Sequence, residues 1–331
     1  MTITRRTALA TAGAGLALFS IGRPAHAQAA KLRFAHPHPE SDSWHKAALQ
    51  FAEKVKAKSA GKLEVQVFAN GALGSDSQTI SAVRGGSLDI CLTGNPFFTG
   101  LAPKLNVLDL PFLFQSRKHV AAVMDGPIGD GLRQELEASN LKALATWEIG
   151  WRNLTNSRRP VVTAADIKGL KIRTTPNPAH IRAFQLLGAV PTPMAFTELF
   201  SALETGAVDG QENPVTLILN AKFSEVQKHL SLTRHAFTTG PVVMNKAKFD
   251  AMAPELQKLL AETALELAVV QRGMNEGTEG SSLAELKKAG MQAVETPDRD
   301  SFSRIVTAEV EKEFVTKFGG ETLEAIKKAA I

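Results

Sequence analysis

The sequence predicts an α/β protein of two lobes, joined by hinge strands and spanned by one long helix. Three observations predict it. Short apolar runs of period two alternate with longer runs of helical period, the pattern of a mostly parallel sheet covered on both faces. The stretch Ser81–Asp89 has an echo at Ser201–Asp209, each reading as helix, glycine stop, strand and aspartate. Finally, two strand-like stretches, Leu141 to Asn153 and His229 to Met244, fall where a chain crossing between paired lobes must run.

The chain opens on Thr4-Arg5-Arg6-Thr7-Ala8-Leu9, continues as a small-residue apolar run to Ile21 and reaches Pro24-Ala25-His26-Ala27. A charged start, an apolar middle and an A-x-A end make a secretory signal peptide over residues 1–27, and the paired arginines give it a twin-arginine character. The leader holds three arginines and no acid, so its removal lowers the formal charge from +5 to +2. No basic block with interleaved aromatics remains, which excludes a nucleic-acid surface. Cys91 is alone, so the exported protein has no internal disulfide and depends on its core.

Lys31 to His36 reads as a first strand, Ser43 to Lys58 as an amphipathic helix stopped by Gly61, and Leu63 to Val67 as an alternating strand. A loop at Gly71–Ser75 precedes a helix at Gln78–Arg84, which Gly85-Gly86 ends before the buried strand Leu88–Leu92. Pro96 to Pro111 is irregular and apolar, with its phenylalanines read as core. Val120 to Ser139 gives helices. The strand Leu141–Ile149 then leads into Gly150-Trp151-Arg152-Asn153, the first crossing. Asp166–Leu170 is a helical turn, Leu170–Arg173 a short strand, Ala179–Leu187 a helix and Ala207–Asp209 an apolar strand before Gln211-Glu212-Asn213-Pro214. His229 to Met244 is the second crossing. Pro254 to Gly290 is a long helix, and Gly273, Gly277 and Gly280 predict a bend or break near its middle. A short strand at Met291–Val294 and a helical tail from Asp298 complete the chain. The implied division is 28–150 with 239–278 for one lobe and 151–238 with 279–331 for the other.

The informative stretch is Gly169 to Asn213. Arg173 at the carboxyl end of a strand offers a planar fork of donors that matches a carboxylate in two parallel charge-assisted bonds. Asn213 adds an amide that both donates and accepts, with a helix N-cap as its bland alternative. GLKIR, LGAVPTPMAFTELFSALETGAVDGQENP and KFSEVQKHLSLTRHAF resemble the solute-binding proteins of tripartite ATP-independent periplasmic (TRAP) transporters, the DctP-type family. That resemblance implies a periplasmic binding protein-like fold, lobes that close over an organic acid, a periplasmic location and a membrane permease as partner. It implies no catalysis and no cofactor, and a monomer is favoured.

By the same resemblance Arg173 is the main carboxylate ligand, Arg152 a second cleft arginine, Asn213 the cleft asparagine and Phe196 a pocket aromatic. Glu212 is read as the group that holds an arginine in place. His36 and His38, in His36-Pro37-His38-Pro39-Glu40 with Asp42 and His45 nearby, are read as a cleft loop rather than a zinc site. Asp76 and Gln78 are candidates for ligand hydroxyls, and Trp151 for stacking on a sugar face. Sialic-acid-binding relatives carry an acid and then an arginine where this chain has Gly94-Asn95 and Phe97. The implied ligand is therefore a smaller acid: a sugar acid such as a uronate first, a C4-dicarboxylate or a keto or hydroxy acid as alternatives. The rival class is a secreted serine hydrolase, on the S-x-x-K spacing of Ser43 and Lys46. No S-D-N, K-T-G, G-x-S-x-G or H-E-x-x-H accompanies it.

Overall fold

A computed structural model describes residues 29–330; the leader expected at 1–27 lies outside the described residues. The elements run in chain order as β1 (Ala30–Ala35), α1 (Ser43–Lys58), β2 (Leu63–Phe68), α2 (Asp76–Arg84), β3 (Ile90–Leu92), α3 (Arg117–Met124), α4 (Pro127–Gln134), β4 (Leu141–Asn156), β5 (Lys171–Thr174) and α5 (Pro178–Leu186). They continue as β6 (Val190–Pro193), α6 (Leu199–Glu204), β7 (Gly210–Asn213), α7 (Val215–Asn220), β8 (His229–Asn245), α8 (Lys246–Asp250), α9 (Pro254–Lys288), β9 (Gln292–Val294), α10 (Arg299–Phe318) and α11 (Glu321–Lys328). The segment before α3 folds as two 3₁₀ turns, Asn95–Phe97 and Pro103–Asp109.

The strands form one sheet in the order β2-β1-β3-β8-β4-β7-β5-β6, with β9 beside β8. Its two flanks are parallel: β1 pairs with β2 and β3, and β5 with β6 and β7. The middle is antiparallel, which corrects the expectation of a mostly parallel sheet. β4 and β8 run against each other for almost their whole length, β8 changes its other neighbour on the way, and β4 gains one only at its carboxyl end. β8 pairs with β9 at His229–Ser231 and with β3 at Val242–Met244, while β4 pairs with β7 at Asn153–Asn156. These two long strands thus belong to both lobes.

Register shifts interrupt the β4–β8 ladder between Ala143 and Ala145, between Glu148 and Gly150, and between Arg152 and Leu154. Gly150 adopts φ +125°, a conformation that a side chain resists, so glycine is required where the strand changes course.

Burying apolar faces against this sheet explains the helices. Trp44, Ala47, Ala48, Phe51 and Val55 recur at helical spacing on α1 and pack with Phe34, Ile90, Trp147 and Leu267. α9 spans the molecule: Leu260, Ala264 and Leu267 sit in that core, whereas Leu286 packs with Leu199, Leu203 and Ile218 of the other lobe. It is one unbroken helix of 35 residues, so the predicted break is overturned. A Cβ added at Gly273, Gly277 or Gly280 would meet no atom within 4 Å, so nothing packs there that would require an interruption. The strand expected at Ala207–Asp209 lies instead at Gly210–Asn213, with Asp209 leading into it: its N–H donates to Lys171 O at 2.8 Å and its carbonyl accepts from Ser157 N–H at 2.9 Å.

The internal echo is a repeated structural device. Asp89 accepts the backbone N–H of Arg33 at 2.8 Å, and Asp209 accepts that of Lys171 at 2.8 Å, each tying the end of a helix-glycine turn to the neighbouring parallel strand. The glycines in both turns, Gly86 and Gly206, take left-handed φ values of +77° and +71°.

Candidate functional site

The parallel flanks point the carboxyl ends of β5 and β7 at the place where β4 crosses between lobes. Crevices outside the carboxyl ends of such strands are where α/β sheets bind ligands. Four predicted residues meet there. Arg152, Arg173, Glu212 and Asn213 are all at most 3% exposed.

Their hydrogen bonds separate the two arginines. Arg152 is ion-paired through Nε and Nη2, while its Nη1 has no protein partner among the described residues. Its Nε and Nη2 clasp the Glu212 carboxylate, Nη2 reaching Oε1 at 2.8 Å. Nη2 also bonds the Glu212 carbonyl at 2.5 Å and Asn213 Oδ1 at 3.1 Å. His235 adds a contact from its Nε2 to Glu212 Oε2 at 3.2 Å, and Thr233 Oγ1 holds its Nδ1 at 2.8 Å. Burial alone raises the Glu212 carboxyl, but the Arg152 charge and these bonds outweigh it and hold it well below the usual carboxylate range. The expected arginine-holding role of Glu212 is what this geometry provides.

Arg173 is different. Its Nε and Nη2 donate to one carbonyl, Met194 O, at 3.2 and 2.8 Å. Among the described residues no carboxylate lies within 4 Å of it, and Nη1 has no protein partner. Burial lowers its guanidinium to about 10, which still leaves it charged at neutral pH. A charge in such a place is costly unless something pairs with it.

Asn213 is tethered by Nδ2 to Gln211 Oε1 at 2.6 Å, and Gln211 in turn donates to Thr155 Oγ1 at 2.8 Å. It does not cap the following helix, whose N-cap is Pro214. Phe196 is half-buried between the lobes, its ring 5.2 Å from that of His38 and 6.0 Å from Phe223. Asp76, a candidate for ligand hydroxyls, is buried and joins the lobes: Oδ2 accepts from the Phe196 backbone N–H at 3.0 Å while Oδ1 accepts from Thr93 Oγ1.

The remaining candidates are placed elsewhere. Gln78 is exposed and its Oε1 accepts from the Ser75 N–H at 2.8 Å, closing a capping box on α2. Trp151 is buried with its ring 4.9 Å from Phe237 in an edge-on contact, so it is a core residue and not a stacking platform. His36 and His38 turn to different partners. His36 Nε2 faces His45 Nδ1 at 3.1 Å, whereas His38 stacks on Trp44 at 3.9 Å and bonds Asp42 Oδ1 at 3.0 Å. Asn220 of α7 also donates to Asp42, at 3.3 Å, so this loop meets the facing lobe through Asp42 and the His38 ring.

Several residues of the cluster escaped sequence reasoning. Asp109 is wholly buried; its Oδ2 accepts from Asn95 Nδ2 at 2.6 Å and Asn177 Nδ2 at 3.0 Å. His180 is oriented by Thr175 Oγ1 at 2.8 Å on Nδ1. An isolated aspartate inside the apolar run Leu105–Leu113 was a readable signal for Asp109; nothing in the spacing marked His180 or His235.

The match to known proteins is extensive. The family model for bacterial extracellular solute-binding protein, family 7 (DctP), matches residues 34–317. The chain belongs to this DctP family. It is similar to the 2,3-diketo-L-gulonate-binding periplasmic protein YiaO of Escherichia coli K12, 42% identical over 95% of both chains. Among solved structures it resembles a TRAP periplasmic solute-binding protein of Polaromonas sp. JS666 bound to D-erythronate, with a TM-score of 0.87, 37% identity and 90% and 98% of the two chains covered. It also resembles the sugar acid binding protein of Advenella mimigardefordensis in complex with galactonate, with a TM-score of 0.88, 36% identity and 91% and 98% covered.

DctP proteins bind and transport rather than catalyse, so the hydrolase reading falls. The S-x-x-K serine has a structural task instead. Ser43 Oγ donates to Asn275 Oδ1 at 2.7 Å and accepts from Gln271 Nε2 at 2.8 Å, tying α1 to α9.

Proposed function

We propose that the protein captures an organic acid in the periplasm, closes its lobes over it and delivers it to a TRAP membrane permease. A sugar acid such as a uronate is the ligand class that fits best. The observation that carries the reading is Arg173, a guanidinium 1% exposed with no ion pair and one terminal nitrogen uncommitted. A carboxylate arriving at that fork neutralises the charge and supplies the missing acceptors. Arg152, already neutralised by Glu212, acts as a rigid wall and donor, and Asn213 fixes the ligand's orientation. Asp76 and the His36–His38 loop close the site from the facing lobe, against Phe196. The proposed lobes, 28–150 with 239–278 and 151–238 with 279–331, hinge on β4 and β8. A sugar acid is supported by the relatives, which bind 2,3-diketo-L-gulonate, D-erythronate and galactonate. The permease partner and the periplasmic location follow from the signal-like leader and the family.

Thermal unfolding of the mature protein against uronates, aldonates, dicarboxylates and keto acids tests this. A ligand at a thousand times its dissociation constant stabilises the native state by about 4 kcal/mol, a clearly raised midpoint. Replacing Arg173 by Met should weaken binding by at least about 30-fold, corresponding to about 2 kcal/mol. Undiminished binding by the folded variant rules Arg173 out as the carboxylate ligand.

A further inference from the structure

Charge counting around the cleft reaches further than the ligand class. Two cations stand at the centre, Arg152 and Arg173, and Glu212 already pairs with the first. His180 supplies no third cation: burial lowers its imidazole to about 3, so it is neutral. Of the two arginines only Arg173 is left without a bonded carboxylate, which makes one place for a ligand carboxylate.

The surrounding buried polar atoms have a second property. Asp109 Oδ1, Thr174 Oγ1, His180 Nε2 and Thr238 Oγ1 are all buried without a hydrogen-bond partner. Asp109, His180 and Thr238 belong to the same neighbourhood. Asp109 feels the charges of Arg152 and Glu212 and has the Thr238 hydroxyl beside it, and His180 feels Arg152, Arg173 and Glu212. Such orphaned groups are rare in native interiors and mark places where another molecule completes the bonding. The chemistry of these three is mixed: an acceptor, a hydroxyl and a neutral imidazole. A ligand hydroxyl, which donates and accepts, satisfies all of them. A second carboxylate, which only accepts, cannot donate to Asp109 Oδ1 and is repelled by it.

We propose that this site selects a hydroxylated monocarboxylate over the corresponding dicarboxylate, with Asp109 as the residue that rejects the second carboxylate and Thr238 and His180 as its partners in receiving ligand hydroxyls. This rests on the reading of Arg173 as the carboxylate ligand. Burial, the first influence on Asp109, pushes its carboxyl up to about 7. The rejecting role belongs to the ionised carboxylate, which accepts from a ligand hydroxyl and repels a second carboxylate, so the test is run above that value.

Matched acid pairs test the proposal by isothermal titration of the mature protein at pH 7.5: galactonate with galactarate, gluconate with glucarate, erythronate with meso-tartrate. Each pair differs only in a terminal CH2OH against a second carboxylate. The expected result is binding of at least one monoacid at least about ten-fold tighter than its diacid, a gap of about 1.4 kcal/mol. Asp109→Asn, which keeps the shape and removes the charge, should narrow that gap to about three-fold or less by strengthening the diacid. Should Asp109→Asn fail to fold, Thr238→Val serves instead: it should weaken the monoacid and leave the diacid no tighter. A diacid that binds wild type as tightly as its monoacid overturns the proposal, as does an unchanged ratio in the folded Asp109→Asn or an unaffected monoacid in Thr238→Val. No binding within any pair also overturns it, and carboxylate capture survives that result if another acid raises the unfolding midpoint of wild type but not of Arg173→Met.

Discussion

Arg173 and Arg152 are chemically identical and buried to the same degree, yet the protein uses them in opposite ways. Arg152 forms a closed ion pair, so removing its partner leaves a buried charge with nothing to balance it. Glu212→Gln should therefore cost about 3–5 kcal/mol of stability, read as a lowered urea midpoint at unchanged slope. A loss below about 1 kcal/mol would mean that water already reaches the pair. Arg173 has no such partner, and its removal relieves a desolvated charge. The ligand-free Arg173→Met variant should accordingly unfold at or above the wild-type temperature even though it has lost binding. Stability and function are expected to move in opposite directions at this residue alone. Arg173, Glu212 and Asn213 were legible because each sits near a strand end inside a recognisable run, and Arg152 because its run resembles the family, although it lies within β4. Asp109 left only the weak signal of an aspartate in an apolar run, and His180 and His235 left none, because their places come from burial beside Glu212, 103, 32 and 23 positions away from the three.

At the level of elements, the β4–β8 pair and α9 carry the connection between lobes. β4 bulges at Glu148/Gly150, next to the arginine that the site needs, and a network converges on Glu148 at that bulge. Arg117 bonds its carboxylate at 3.0 Å, and Trp44, Gln271 and Asn275 all reach its backbone carbonyl. α9 is continuous because helical packing at both ends outweighs the low helix propensity of three glycines. Its middle glycines are not needed for close approach, as nothing lies within 4 Å of a Cβ there. Gly273→Ala should therefore raise stability by about 0.4–1 kcal/mol without altering ligand affinity, measured by thermal unfolding and titration on one preparation. A stabilised variant that binds more weakly would show that α9 must flex for closure. The same substitution at Gly240 should be harmful, since its Cβ would come 2.5 Å from the Trp44 ring. Composition shows a glycine in either case; only the neighbours tell a tolerated glycine from a required one.

For the whole molecule, the lobes are in contact through Asp76 with the Phe196 N–H, Asp42 with Asn220, and His38 with Phe196. Contacts of this kind across a hinge are made when the lobes close and lost when they open. Small-angle scattering should show the unliganded protein with the larger radius of gyration, shrinking as a bound acid is added. Asp76→Ala should keep the unliganded radius but need more ligand to reach the compact one. A radius that ignores saturating ligand would remove lobe closure from the mechanism. By itself the sequence determined the α/β class, the paired lobes, the two crossings and the arginine at the head of the site, because strand period, glycine stops and local motifs act over a few residues. Only the tertiary structure decided that the central pairings are antiparallel, that α9 runs unbroken, that Trp151 packs on Phe237 and Gln78 caps α2, and that of Arg152 and Arg173 only the first has a carboxylate partner. Those outcomes depend on which distant side chains share a buried space, and burial is a property of the packed chain rather than of any stretch of it.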